Sequence, residues 1–395
     1  MTTVINPEPR IKDTATAAVS EDGQPPLVEA KSTATRGGGG SPTDTRPRSI
    51  WLRPKPSDRA AMSMLLALLV ISFLCFSLIV ALMNGNTKVV TQSGSMGSMG
   101  SSSSAQKYNV PAGTVPAHQT YDAQPPVAAQ GDTVSVHLVA KQALISIAPD
   151  VAYHAWTFNG TVPGPIIRVR QGQTINFTLT NEDQMPHSID FHAAQTPWNV
   201  NYQPVAPGKS FSFSFKANYP GVFMYHCGTS PAMYHMANGM YGAIMVDPAA
   251  GWSPAQEYVV VQSEFYTRQS PDGTYSLDAA KMMQVMPDYV VFNGYANQYK
   301  DKPLQAKAGQ KIRLFIVNAG PSQFSAFHVI GGIFSDVYAD GNPANHTIGD
   351  QTITVPPGGG SVVELTIPDP GSYPFVSHSF SGASTGALGV ISVAP

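Results

Sequence analysis

An internal repeat limits the fold of this 395-residue sequence more than any other feature. The tripeptide Phe-Asn-Gly at 158–160 recurs at 292–294, and each copy then reaches a Phe-His pair, at 191–192 and at 327–328. Equivalent positions therefore lie about 135 residues apart, which predicts a duplicated domain.

Within each copy, short segments alternate between apolar and polar residues. Residues 133–139, 174–180 and 210–215 have this period of two, the last as Ser-Phe-Ser-Phe-Ser-Phe. Such alternation predicts strands with one buried face, and no convincing amphipathic helix interrupts them. We therefore predict an all-β protein with two tandem Greek-key β-sandwich domains, at 131–249 and 250–395.

The residues before the repeat have three different compositions. Residues 1–58 are rich in Pro, Gly, Thr and Asp and show no apolar period, which predicts a disordered tail. At 60–83 only three serines interrupt an apolar run, so we predict a transmembrane helix at 59–84. A cleaved signal peptide is the alternative. Residues 85–130, with many Gly and Ser, predict a flexible linker.

Charge sets the orientation of this single span and excludes one class of partner. Five basic residues lie at 46–59, whereas only Lys88 lies close on the other side of the apolar run. The positive-inside rule therefore puts the N-terminus in the cytoplasm and the repeat outside the cell membrane. The formal charge of −2 argues against nucleic acid as a partner, because nucleic-acid-binding proteins usually carry a basic surface.

One of the two cysteines, Cys227, begins a group of metal-binding residue types. His235 and Met240 follow it within a segment of fourteen residues. A thiolate, an imidazole and a thioether, with one more imidazole, make up the trigonal His₂Cys site with a long axial Met of blue-copper electron-transfer centres. The alternative is a buried free cysteine with incidental neighbours.

Strand geometry predicts a second site behind the first. His187 and His192 are five residues apart, and His226 is adjacent to Cys227. In an extended strand, residues separated by an odd number point to opposite faces. If His187 completes the first set, His192 and His226 are left for a second metal. The peptide between His226 and Cys227 would then be a covalent path for electrons.

Two further residues fit this second site. Asp190 lies two residues from His192 and shares its face, and His378 lies on the corresponding strand of the second domain. Three imidazoles leave one coordination position open, which is typical of a catalytic metal.

These motifs resemble the copper-containing nitrite reductases with two cupredoxin domains, in particular a membrane-associated subgroup with a shortened loop between Cys and His. The resemblance covers about residues 130 to 395. It is carried by the segments 185–192, 225–227, 235–242 and 327–331 and by His378.

The resemblance implies one type 1 and one type 2 copper in each subunit. The implied type 1 ligands are His187, Cys227, His235 and Met240. The implied type 2 ligands are His192, His226 and His378, the last supplied by the neighbouring subunit of a homotrimer.

The resemblance also implies the reaction and its catalytic residues. Nitrite is reduced by one electron to nitric oxide and water, with Asp190 and His328 as the catalytic pair and Ile330 in the substrate pocket. Thr352 either orients His328 or is an ordinary strand-surface threonine. The external electron donor is a cytochrome, a small cupredoxin or a quinol route.

Two other functions stay open from the sequence. A membrane-tethered blue-copper electron carrier with an idle second site predicts the loss of Asp190, His328 or a second-site ligand, and all of these are present. A laccase-like multicopper oxidase needs several His-x-His pairs, of which the sequence has none, and Gly228 follows Cys227.

Overall fold

The computed structural model describes residues 115–395. The predicted tail at 1–58, the predicted membrane helix at 59–84 and the linker before residue 115 lie outside the described residues. Across 115–395, no helix has the length and apolar character needed to span a membrane.

Strands form most of the described chain, as the alternating segments predict. In chain order they are β1 Thr133–Ala148, β2 Val151–Phe158, β3 Ile167–Arg170, β4 Thr174–Asn181, β5 Asp190–Phe191, β6 Ser210–Lys216, β7 Gly221–His226, β8 Tyr241–Asp247, β9 Gln256–Phe265, β10 Thr267–Gln269, β11 Tyr275–Leu277, β12 Tyr289–Phe292, β13 Leu304–Lys307, β14 Lys311–Gly320, β15 Ser325–Val329, β16 Asp336–Ala339, β17 His346–Thr347, β18 Thr352–Val355, β19 Gly360–Thr366, β20 Gly371–Ser377 and β21 Leu388–Ala394. The short helices of this part are α1 Trp198–Asn201, α2 Ala232–Ala237, α3 Ala279–Met283, α4 Gln298–Asp301 and α5 Phe380–Thr385.

The strands of the described residues form four sheets. Two sheets contain the strands of the first half, in the orders β10-β11-β2-β1-β4-β6 and β3-β8-β7-β5, with β10 and β11 added from the second half. The other two have the orders β12-β9-β14-β19-β16-β17 and β13-β21-β20-β15-β18. β1 runs parallel to β4 as β9 does to β14, and β7 runs antiparallel to β8 as β20 does to β21. The sequence repeat is therefore also a repeat of topology, and the all-β prediction is confirmed.

Apolar cores join these sheets and bury β7 on both faces. Tyr225 of β7 packs with Phe177 in a core between the two sheets of the first half. Leu314 and Phe327 belong to the corresponding core of the second half. Met224 of β7 points the other way, into a third core that β7 and β8 share with β9 and β14. The C-terminal end of β7 is thus held firmly, and it carries the residues of greatest interest.

The stretch 115–130, which the sequence groups with the linker, packs against the sheets. Ala123 is buried, and its carbonyl accepts a hydrogen bond of 2.7 Å from the Val259 N–H. The Tyr121 hydroxyl donates to the Gly164 carbonyl at 2.9 Å. These contacts connect the stretch to both halves of the described chain.

Candidate metal centres

The first cluster is a thiol and two imidazoles at the end of β7. Cys227 directly follows β7, His187 precedes β5, and His235 lies in α2. The Nδ1 atoms of His187 and His235 are 3.2 Å apart. The Cys227 Sγ lies 3.3 Å from the His235 Nδ1 and 3.9 Å from the His187 Nδ1. All three side chains are buried. Such separations suit donor atoms that share one ion at bond lengths of roughly 2.0–2.3 Å.

Met240, the fourth predicted donor, is connected to this cluster through the backbone. The Cys227 N–H donates to the Met240 carbonyl at 3.0 Å, and the Met240 N–H donates to the His235 carbonyl at 3.1 Å. The Met240 side chain is buried in the same core as Cys227. The turn before it requires Gly239, because φ is +115° and a Cβ there would lie 2.6 Å from the Val162 Cγ2.

Two residues whose roles the sequence did not reveal support these histidines. The Asp183 carboxylate lies 2.9 Å from the His187 Nε2, so the imidazole is held between it and the thiol. The Trp156 ring packs edge-on against His235, with ring centroids 4.9 Å apart. The one available signal was the spacing of four residues between Asp183 and His187, which is too common to indicate a contact by itself.

Burial keeps the imidazoles of the first cluster neutral. It lowers the pKa of His187 despite the nearby Asp183 carboxylate. It also lowers the pKa of His235 to about 4, and the neighbouring His187 adds to this effect. Burial raises the pKa of the Cys227 thiol. The imidazoles are therefore in the form that binds metal, whereas the thiol must release its proton when a metal binds.

The second cluster begins one residue away, on the opposite face of β7. His226 ends β7 and His192 follows β5, and their Nε2 atoms are 3.1 Å apart. The Asp190 Oδ2 lies 3.8 Å from the His226 Nε2, and the three residues could hold one ion. The adjacent residues His226, at the end of β7, and Cys227, directly after it, thus belong to separate clusters, as pleating predicts. His192 is exposed, so solvent reaches this cluster.

Backbone carbonyls orient both imidazoles of the second cluster. The His192 Nδ1 lies 2.9 Å from the Gly358 carbonyl, and the His226 Nδ1 lies 3.0 Å from the Cys227 carbonyl. When the Nδ1–H groups donate there, both Nε2 atoms are free to bind a metal. Gly358 allows the close approach, because a Cβ there would lie 3.2 Å from the His192 Cε1. Burial lowers the pKa of His226, which favours its neutral form.

The last two predicted histidines form a matching pair in the second half. His328 lies in β15 and His378 directly follows β20. Their ring centroids are 5.5 Å apart, compared with 5.1 Å for His192 and His226. Among residues 115–395 of one chain, His378 does not join the group that Asp190 forms with His192 and His226.

The surroundings of this second pair are partly apolar and exposed. The His328 Nδ1 lies 2.6 Å from the Gln351 carbonyl, whereas the Thr352 Oγ1 is 3.4 Å away, so the carbonyl is the nearer partner. Ile330 is 45% exposed and Phe380 is 61% exposed. The Phe380 ring packs edge-on against His378. Histidines and apolar side chains thus share one accessible surface.

The chemistry of the two donor sets fits two different copper sites. A thiolate with two imidazoles and a neighbouring thioether is a soft set of the kind found at electron-transfer copper. Two imidazoles beside a carboxylate, open to solvent, leave coordination positions for an exchangeable ligand. The residues present therefore fit copper at both places.

Known proteins are similar to this chain in sequence and in fold. Family models described as "Multicopper oxidase" match residues 140–251 and 256–391. A copper-containing nitrite reductase of Neisseria meningitidis serogroup B is 40% identical over 269 residues, which cover 66% of this chain and 68% of that protein. The chain belongs to the copper-containing nitrite reductases.

Other copper-containing nitrite reductases show the same relationship. The protein from Alcaligenes faecalis is 34% identical over 251 residues, covering 57% of this chain and 66% of that protein. The solved structure of copper nitrite reductase from Nitrosomonas europaea is 39% identical with a TM-score of 0.62, covering 66% of this chain and 94% of that chain. A solved multicopper oxidase is 28% identical with a TM-score of 0.59, covering 66% of this chain and 89% of that chain. The resemblance predicted from the sequence is confirmed.

Proposed function

We propose that this protein is a membrane-anchored enzyme that reduces nitrite to nitric oxide and water with one electron. One observation supports the proposal above all: a single peptide bond, between His226 and Cys227, joins a buried thiol cluster to a partly exposed imidazole cluster. A buried thiolate set suits electron transfer, and an accessible imidazole set suits a small anion. The path between them is covalent and short.

In this proposal each subunit holds one type 1 and one type 2 copper. The type 1 ligands are His187, Cys227, His235 and Met240. The type 2 ligands are His192, His226 and, from a neighbouring copy, His378. When bound, copper would supply a one-electron relay at the first site and a Lewis acid that orients nitrite at the second.

The protein supplies the protons that the reaction consumes. Loss of water from nitrite requires two protons together with the electron. Asp190 is 34% exposed and lies beside His226, so its carboxyl can give one proton to a nitrite oxygen and recover it from solvent. His328 donates from Nδ1 to the Gln351 carbonyl, which keeps its Nε2 free to relay the second proton through water. Ile330 limits the space for the substrate.

A homotrimer would complete the type 2 site. Within one chain His378 groups with His328 and not with His192. A contact between the first half of one copy and the second half of the next is head-to-tail, and such contacts generate closed rings when the rotation permits. The exposed Ile330 and Phe380 side chains beside this pair would then be covered. His328 and His378 would enter the neighbour's site together.

The N-terminal segments would place the enzyme at the cell membrane. We assign residues 1–58 to the cytoplasm, 59–84 to a single membrane span and the residues from 85 up to the packed stretch 115–130 to a tether. The cupredoxin domains, 131–249 and 250–395, would lie on the extracytoplasmic side, where a cytochrome, a small cupredoxin or a quinol route supplies electrons. Alkaline extraction of membranes tests this arrangement, because release of the full chain into the soluble fraction would contradict a membrane span.

Two substitutions test the division between the sites. His192→Ala should abolish nitrite turnover with an artificial electron donor and leave the visible thiolate-to-copper absorption unchanged. Cys227→Ser should remove that absorption. If the wild-type protein with its full copper content does not turn over nitrite, a blue-copper electron carrier becomes the better assignment.

Mixed assembly tests the shared site. His192→Ala and His378→Ala chains should each be inactive alone. When the two are expressed together and assemble at random, about one quarter of the junctions combine an intact His192 with an intact His378, and activity should return in that proportion. Absence of any recovery in mixed oligomers would contradict a ligand supplied by the neighbouring copy.

A further inference from the structure

Asp183 is a buried carboxylate directly behind a proposed copper ligand. Its side chain is 2% exposed, and its Oδ2 lies 2.9 Å from the His187 Nε2. The opposite nitrogen of the same ring, Nδ1, faces the Cys227 Sγ and the His235 Nδ1. The imidazole thus connects the carboxylate to the thiol cluster.

The other partners of Asp183 are neutral. Its Oδ1 accepts hydrogen bonds from the Gln142 side-chain amide at 2.8 Å and from the Gln184 N–H at 2.6 Å. Its own N–H donates to the Asn181 Oδ1 at 2.9 Å. Within residues 115–395, no lysine or arginine forms an ion pair with this carboxylate. Its negative charge is therefore directed at His187 without compensation from a neighbouring cation.

The second cluster shows that orienting a histidine does not require a charge. There, neutral carbonyls of Gly358 and Cys227 hold the rings of His192 and His226 at similar distances. The first cluster uses a carboxylate for the same geometric task. The group behind the His187 ring is therefore a buried negative charge, where electrostatic effects are strong. The Asp190 carboxylate of the second cluster is 34% exposed and lies on the Nε2 side of His226.

We infer that Asp183 is a positioning residue that turns the His187 Nδ1 toward Cys227 and lowers the reduction potential of the copper bound there. This inference rests on the proposed copper site. A hydrogen bond from Nε2–H to a carboxylate makes the imidazole a stronger donor. A nearby negative charge also stabilises the more positive oxidation state. A lower potential at this site favours transfer of the electron onward to the second cluster.

The reduction potential of the holoenzyme tests this inference. It is measured by redox titration of the visible absorption against a one-electron mediator. Asp183→Asn keeps the shape and removes the charge, and it should shift the equilibrium toward reduced copper by about tenfold or more, equivalent to about 59 mV. If the equilibrium between oxidised and reduced copper in Asp183→Asn shifts by less than about threefold, the inference is overturned.

Matched variants separate charge from packing. Asp132→Asn makes the same charge change at an exposed position, where solvent screens it, and Gln142→Ala removes one neutral donor and keeps the charge. Both should leave the potential near the wild-type value. Asp183→Glu should restore most of the wild-type potential, and an equal shift in Glu and Asn variants would assign the effect to packing.

A variant that does not fold can be distinguished from a copper site that is wrongly assigned. If the Asn variant does not fold, Asp183→Ser removes the same charge with a smaller side chain and should raise the potential in the same direction; an unchanged potential would refute the role of Asp183. If the wild-type protein itself lacks thiolate-to-copper absorption, the proposed copper site is wrong, and the inference that depends on it fails with it.

Discussion

Replacing Gly358 by alanine measures how far one glycine controls the second cluster. Gly358 has a φ of +80°, and an L-residue in this region costs roughly 1–2 kcal/mol. The new Cβ would lie 3.2 Å from the His192 Cε1, a few tenths of an ångström inside an ordinary contact. His192 must then move, although it is hydrogen-bonded to the carbonyl of the same residue.

Gly349 offers a matched control for the backbone strain. Its φ is +81°, and a Cβ there would meet nothing within 4 Å. Gly349→Ala and Gly358→Ala should therefore lose a similar roughly 1–2 kcal/mol of unfolding free energy. Only Gly358→Ala should displace His192, and displacements of this kind lower turnover by up to about a hundredfold.

Three measurements on each variant decide the outcome. Nitrite turnover and copper per subunit should fall in Gly358→Ala, whereas the visible absorption of the first site should stay unchanged in both variants. Thermal unfolding should report the shared strain. The reasoning is refuted if Gly349→Ala loses as much turnover as Gly358→Ala, or if Gly358→Ala keeps full turnover and both coppers.

Other parts of the chain make further predictions. Arg313 is fully buried and donates to both Glu364 and Glu257. Arg313→Met should lower the free energy of chemical unfolding by about 1–3 kcal/mol, because both carboxylates lose a charged hydrogen bond while Lys311 still pairs with Glu364; an unchanged midpoint would contradict this. Burial raises the pKa of Glu264 above its usual 4.5, so its protonated form favours the folded state. The unfolding free energy should therefore fall as the pH rises from 4.5 through the raised folded-state pKa, and Glu264→Gln should remove that slope. A mild chelator should remove second-site copper first, because His192 is exposed and Cys227 is buried; loss of visible absorption before loss of turnover would contradict that order.

The chemistry of the two clusters could be predicted from the sequence because it depends on local properties. Residue type decides which donor atoms are available, and the pleat of a strand sends His226 and Cys227 to opposite faces whatever surrounds them. The repeat similarly predicted that the second half contains equivalents of the strands and histidines of the first half. The alternating segments were sufficient for the all-β class.

Contacts between distant segments could be decided only by the tertiary structure. The carbonyl that orients His192 belongs to Gly358, 166 residues away, and no local pattern marks such a partner. The same holds for the Gln142 amide that reaches Asp183. Within one chain, the packing of the two halves also leaves His378 outside the His192 group. Spacing along a strand determines which face a side chain takes, whereas only the packing of strands determines what that face meets.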